Sequence, residues 1–178
     1  MQDSPSSAGP PTGSDFGWYG RALLSFARWF AYAGGGVFTA LVAMSVVSIV
    51  GRKVASAPVP GDVELLQMCA AFGSASFFAY CHLTGGHVKV DFFTAWLAPG
   101  KRAFLDAAGS LLLGLIGALI AWRTLAGALS VKEAGETSAV LGVPVWLAQA
   151  AMVPGFVLLA LAGFYVCHHT WATRARRS

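Results

Sequence analysis

The chain has 178 residues, of which 56% are hydrophobic and 11% are charged, and its mean hydropathy is +0.64. A soluble domain carries about 25% charged residues because its surface faces water, so this composition excludes an ordinary soluble protein. The net charge of +4 comes from basic residues that flank long uncharged segments. That pattern is typical of membrane orientation and argues against nucleic acid as a partner.

Residues 1–17 are rich in Pro, Ser and Gly and lack the features of a secretory signal, so they predict a disordered cytoplasmic tail. In residues 16–30 the apolar side chains recur with a helical period beside Arg21 and Arg28. This segment predicts either an amphipathic helix in the membrane interface or a cytoplasmic extension of the first span. The sequence leaves these two alternatives open.

Four uncharged or nearly uncharged segments predict membrane-spanning helices, at about residues 29–51, 63–84, 105–128 and 144–167. At about 1.5 Å per residue, each is long enough to cross a hydrocarbon core of about 30 Å. Residues 88–98 carry charges on an amphipathic pattern and predict a second interfacial helix. Basic residues near the span ends number eight on the amino-terminal side and three on the other, which predicts that both termini are cytoplasmic.

The predicted fold is therefore an all-α integral membrane protein, with four transmembrane helices in residues 18–173, interfacial helices on the cytoplasmic side and a basic tail at 174–178. No acidic residue lies deep in a predicted span, which disfavours an autonomous ion-coupled carrier such as a four-helix drug antiporter. The sequence shows no phosphate-binding loop, catalytic triad or metal-ligand cluster. We therefore expect neither an enzyme nor a cofactor.

Arg123 is the one charge inside a long apolar window, about 25 Å along the helix from Asp106 and close to the outer interface. A snorkelling arginine beside Trp122 is favoured over a contact with a partner protein.

Asp62 and Glu64 lie at the start of the second predicted span. An N-cap and a first-turn carboxylate explain them, and a polar contact with a partner at the outer surface is the alternative.

His82 and either His168 or His169 lie at the inner ends of the second and fourth spans, so a haem-binding membrane anchor of an electron-transfer complex is an alternative function. Four interfacial histidines without a ligand are favoured over it.

Small residues form one row on the second span and one on the fourth: Ala71, Ala75 and Ala79, then Ala151, Gly155 and Gly163. Such rows serve packing within the chain or contact with another membrane protein, and the sequence does not separate the two.

Several short motifs occur in a characteristic order. They are Glu64-Leu65-Leu66, the run from Gly86 to Asp91 (GHVKVD), Lys101-Arg102 followed by Asp106, and Gly135 to Ser138 followed by Leu141, Pro144 and Trp146. Together they resemble the small membrane subunit of tripartite ATP-independent periplasmic (TRAP) transporters, the DctQ family, over roughly residues 30–170.

The resemblance implies a bacterial inner-membrane protein that pairs with a large multi-spanning permease subunit and a periplasmic substrate-binding protein, in contact with membrane lipids. It implies sodium-coupled uptake of organic acids such as carboxylates, in which the large subunit carries substrate and sodium and the small one braces it. A free-standing structural membrane protein remains a third possibility. The implied candidate contacts are Glu64, His87, Asp91, Arg102, Arg123, Ser138, Pro144 and Trp146.

Overall fold

The computed structural model describes residues 17–55, 60–85 and 99–175. They form four helices: α1 (Trp18–Ala55), α2 (Asp62–Leu83), α3 (Pro99–Ala134) and α4 (Val145–Ala175). Within these ranges β pairing is limited to an isolated bridge between Thr137 and Pro144, in the loop that joins α3 to α4. The predicted all-helical fold is confirmed.

Three helices contain stretches long and apolar enough to cross a membrane, namely Trp18–Val54, Phe104–Ala134 and Val145–Ala172. The second helix, α2, has 22 residues and is not among these three. The second predicted span, at about residues 63–84, therefore stays a prediction, as does the cytoplasmic position of both termini.

The helices are longer than the predicted spans. The first predicted span lies within α1, which has 38 residues and begins at Trp18, so the part of segment 16–30 that is described continues the first span as one helix. Helices α3 and α4 have 36 and 31 residues, more than a core of about 30 Å requires. The predicted interfacial helix at 88–98 and residues 1–16 lie outside the described residues.

The helices lie side by side in the order α1, α2, α4, α3. Helix α2 packs against both α1 and α4, the most extensive contact joins α3 to α4, and α1 touches α4 only slightly. Alanine dominates the buried core, whose members are Ala27, Ala75, Ala79, Leu83, Ala121, Phe156, Leu159 and Ala162. Small side chains allow helices to approach closely in a membrane, so this core is held by close backbone contact.

Helix α1 packs against α2, and buried residues recur along α1 at intervals of seven: Gly20, Ala27, Gly34, Leu41 and Ser48. A seven-residue interval is typical of helices that pack nearly parallel or antiparallel. A Cβ atom on Gly34 would lie 2.6 Å from the Cβ of Ser76. Nearby, the rings of Phe38 and Phe77 stack with centroids 5.9 Å apart. These contacts align the middle of α1 with the middle of α2.

The small-residue rows also serve packing within this chain. A Cβ atom on Gly155 would lie 2.7 Å from the carbonyl oxygen of Ala75, and one on Gly163 would lie 2.5 Å from the Cα of Gly114. Helix α4 is therefore pressed against α2 on one side and α3 on the other. Of the two roles that the sequence left open, these residues take the internal one.

Candidate functional site

The loop that joins α3 to α4 is a compact, hydrogen-bonded turn. The Ser138 amide donates to the Val143 carbonyl oxygen at 2.9 Å, and the Gly142 amide donates to the Ser138 carbonyl oxygen at 3.1 Å. The second bond closes one helical turn over residues 138–142. Gly142 has a φ of 65°, a left-handed conformation that glycine adopts without a steric penalty.

Glu64 of α2 accepts hydrogen bonds from this turn. The Val140 amide donates to Oε1 at 2.9 Å and the Leu141 amide donates to Oε2 at 3.1 Å, and Ser138 and Ala139 also hydrogen-bond to the carboxylate. Amides in the first turn of a helix have no acceptor within it, and an anion placed there satisfies them. Glu64 thus caps a turn 76 residues away in the sequence. We call this group, Glu64 with residues 138–141, the Glu64 site.

Gly61 brings the start of α2 into contact with the same turn. Its φ is 72°, and a Cβ atom there would clash with the side chain of Leu141. Gly61 occupies the N-cap position of α2 and supplies no side-chain hydrogen bond. The expectation of a carboxylate at the N-cap is therefore wrong, because Gly61 holds that position. The expectation of a first-turn carboxylate is confirmed, since both Asp62 and Glu64 lie in the first turn of α2.

Asp62 joins the end of α1 to the start of α2. Its carboxylate accepts a hydrogen bond from the hydroxyl of Ser48, which is 1% exposed, and another from the Val63 amide at 2.8 Å. The guanidinium of Arg52 lies 3.4 Å from the same carboxylate. The bond from Ser48 holds the pKa of Asp62 below its ordinary value of 3.8. Sequence analysis missed Ser48, although its seven-residue spacing from Leu41 was a signal for a buried face.

A lowered pKa predicts an acid-sensitive contact. Asp62 stabilises the fold fully above its ordinary pKa of 3.8, and this contribution is lost as the pH falls through the lower pKa of the folded state. We expect Ser48→Ala to lower the Tm in detergent at pH 7, and the difference from the unmodified chain to shrink towards pH 3. A Tm difference that is equal at both pH values would contradict a role for ionised Asp62.

The other candidate residues divide into two groups. Ser138 accepts a 3.3 Å hydrogen bond from the Val143 amide, Pro144 bridges to Thr137, and the ring of Trp146 lies 5.0 Å from the Lys132 ammonium, a distance at which a cation and an aromatic ring attract. Ser138 contacts Glu64 directly, and Pro144 and Trp146 contact the two ends of the same loop. Four candidates lie elsewhere: Arg123 is exposed on α3, Arg102 belongs to α3 but its side chain is not described, and His87 and Asp91 fall outside the described residues.

His82 and His168 do not fit a haem site. Gly155 lies beside Ala75, and from that level His82 is seven residues along α2 whereas His168 is thirteen along α4. The two are therefore offset by about 9 Å along the helices. His82 is buried and His168 is exposed, although axial ligation needs two imidazoles that face each other at one depth. The described structure gives the haem alternative no support.

Residues 41–173 match the family described as tripartite ATP-independent periplasmic transporters, DctQ component. The chain belongs to this family. The match contains α2, α3, the last part of α1 from residue 41, most of α4, and the whole of the Glu64 site. No curated protein and no solved structure matches the chain. The resemblance seen in the sequence is confirmed, and the DctQ component is a membrane protein of a transporter.

In this DctQ component the Glu64 site is suited to holding a loop and not to chemistry. Hydrogen-bond donors surround the carboxylate, so its oxygens are already occupied and are poorly placed to take up a proton or an ion. Within the described residues no group of histidine, cysteine, aspartate and glutamate side chains could hold a metal ion. The arrangement fixes the position of residues 138–141 relative to α2.

Proposed function

We propose that this chain is the small membrane subunit of a TRAP-type secondary transporter in the bacterial inner membrane. It braces the large permease subunit for sodium-coupled uptake of organic acids, such as carboxylates, that a periplasmic binding protein delivers. The DctQ family match over residues 41–173 carries this proposal.

The distribution of carboxylates supports a bracing role. The described parts of α1 and α4 contain no aspartate or glutamate, and α3 has none between Asp106 and Glu133. Cation transport through a membrane domain normally requires ionisable or polar ligands inside it. The sodium and substrate sites therefore belong on the partner.

The shape of the chain supports the same role. Helices α1 and α3 are the outer members of the row and expose many large apolar side chains, among them Val47 and Leu119. The interfacial segment predicted at 88–98 would hold this row at one depth through contacts with lipid headgroups. The Glu64 site would present its loop to the periplasmic binding protein.

The proposal is tested by purification from native membranes. A carboxyl-terminal tag and a mild detergent are used, the co-purifying proteins are identified by mass spectrometry, and an unrelated tagged membrane protein is the control. We expect a large multi-spanning permease that the control does not recover. Recovery of a redox enzyme with a haem absorption band, or of no membrane partner, would contradict the proposal.

A further inference from the structure

The first turn of α2 makes side-chain contacts on two different sides. The Asp62 carboxylate contacts Ser48 and Arg52, which both lie near the end of α1. The Glu64 carboxylate accepts hydrogen bonds from the loop between α3 and α4. Two residues further along a helix with 3.6 residues per turn, a side chain points about 200° away. The two carboxylates therefore join parts of the chain that lie on opposite sides of α2.

The contact between these two parts passes through α2. Helix α1 lies at one end of the row of helices and α3 at the other, with α2 and α4 between them. Among the residues that the structure describes, no hydrogen bond or ion pair joins α1 directly to the loop between α3 and α4. The polar connection from the loop to α1 is therefore made by residues 61–64.

This turn of α2 depends on contacts with other parts of the chain. Gly61 occupies the N-cap and supplies no side-chain hydrogen bond, so the local cap is the bond from the Val63 amide to Asp62, at 2.8 Å. The Leu141 side chain packs against Gly61, where a Cβ atom would clash with it. Helix ends open readily unless such contacts hold them. Contacts with α1 and contacts with the loop thus stabilise the same turn.

Contacts that stabilise one opening unit are thermodynamically linked. When residues 61–64 leave the helix, the bonds of Asp62 to α1 and those of Glu64 to the loop are lost together. A substitution that removes one set of bonds makes the open form more populated, so the other set is broken more often. The linkage is reciprocal, and a contact that holds the loop also holds the end of α1.

We propose that residues 61–64 form a junction that couples the position of the loop between α3 and α4 to the last turn of α1. The coupling itself is a property of this chain. Its role in transport rests on the proposed function: a binding protein that holds the loop would also stabilise the end of α1, and its departure would release both.

The coupling is tested by hydrogen exchange of the purified full chain in detergent, measured by mass spectrometry. The amides of Val140 and Leu141 report opening of the loop, since they donate to Glu64. We expect Ser48→Ala, which removes the bond from α1 to Asp62, to speed exchange of these loop amides at least about threefold.

Glu64→Gln provides the reciprocal measurement. We expect this change in the loop contact to speed exchange of the Arg52 and Lys53 amides, in the last turn of α1, by a similar factor. Gly61→Ala changes the centre of the junction, because the φ of 72° is strained for alanine and the new Cβ atom displaces Leu141. It should speed exchange both in the loop and at the end of α1.

Two substitutions on the same helices are controls. Ser45→Ala makes the same change one turn earlier on α1, at a side chain without a hydrogen bond among the described residues. Gln67→Ala changes an exposed residue of α2 beyond the junction. Neither control should alter exchange in the loop or at the end of α1. The amides around Arg123, in the middle of α3, report general unfolding.

The coupling would be overturned by unchanged exchange of the loop amides in Ser48→Ala, or of the Arg52 amide in Glu64→Gln. An equal rise around Arg123 would also overturn it, because the loop would then open with the whole chain. If Ser48→Ala does not fold, the measurement with Glu64→Gln remains. No partner is present, so a negative result leaves the proposed function standing, and a failure to recover the permease leaves the coupling standing.

Discussion

Replacing Gly163 by alanine is expected to force α3 and α4 apart. The new Cβ atom would lie 2.5 Å from the Gly114 Cα, 2.6 Å from the Gly114 nitrogen and 2.7 Å from the Ser110 carbonyl oxygen. All three are backbone atoms, which cannot rotate out of the way as a side chain can. Overpacking of this kind lowers the free energy of unfolding by about 1–3 kcal/mol, and thermal unfolding in detergent measures it.

Two glycines of α3 provide matched controls. A Cβ atom on Gly114 would meet its nearest neighbour at 3.2 Å, and one on Gly109 would meet no atom within 4 Å. We expect Gly114→Ala to have a smaller effect than Gly163→Ala. We expect Gly109→Ala to be neutral or slightly stabilising, since alanine favours a helix over glycine by about 1 kcal/mol. Equal unfolding midpoints for the Gly163 and Gly109 variants would contradict the close packing of α3 on α4.

The positions of the helices were predictable because their signals are local. Uncharged runs between residues such as Arg28 and Arg52 mark where lipid would surround the chain. The helix ends were less predictable. Helix α1 begins at Trp18 and α3 continues to Ala134, since a backbone can keep its helical hydrogen bonds after it leaves an apolar environment. Hydropathy indicates which part of a helix is surrounded by lipid, but it does not indicate the residue at which the helix ends.

The order of the helices was not predictable from these patterns. Small residues such as Ala75, Gly155 and Gly163 indicate that another helix approaches closely. They do not indicate which helix that is, because a surface of glycine and alanine can pack against any of them. Only the structure shows that Gly155 meets α2 and Gly163 meets α3.

Some residues of the candidate site could be predicted from the sequence, but their contacts could not. Glu64 and Ser138 were singled out from the sequence, but the link between them was not. The amides of Val140 and Leu141 donate to Glu64, and a backbone donor has no sequence signature. The role of Gly61 could not be predicted either, because its contact with Leu141 depends on a loop that lies 80 residues later in the chain.

The Glu64→Gln exchange is expected to loosen the loop between α3 and α4. The Val140 and Leu141 amides donate to different oxygens of Glu64, whereas a glutamine has one oxygen and an NH₂ group that only donates. One backbone donor would then face another donor. Because cleavage of a folded chain tracks local opening, we expect a glutamate-specific protease to cut after the exposed Glu136 at least about fivefold faster.

A control on the same helix separates loop order from general damage. Gln67 is exposed one turn further along α2, and Gln67→Ala should leave cleavage after Glu136 unchanged. An unchanged rate for Glu64→Gln would show that the loop does not depend on the carboxylate. Because the hydrogen bonds of Glu64 hold this loop, we expect Glu64→Gln to lower binding-protein-dependent uptake while permease recovery stays normal.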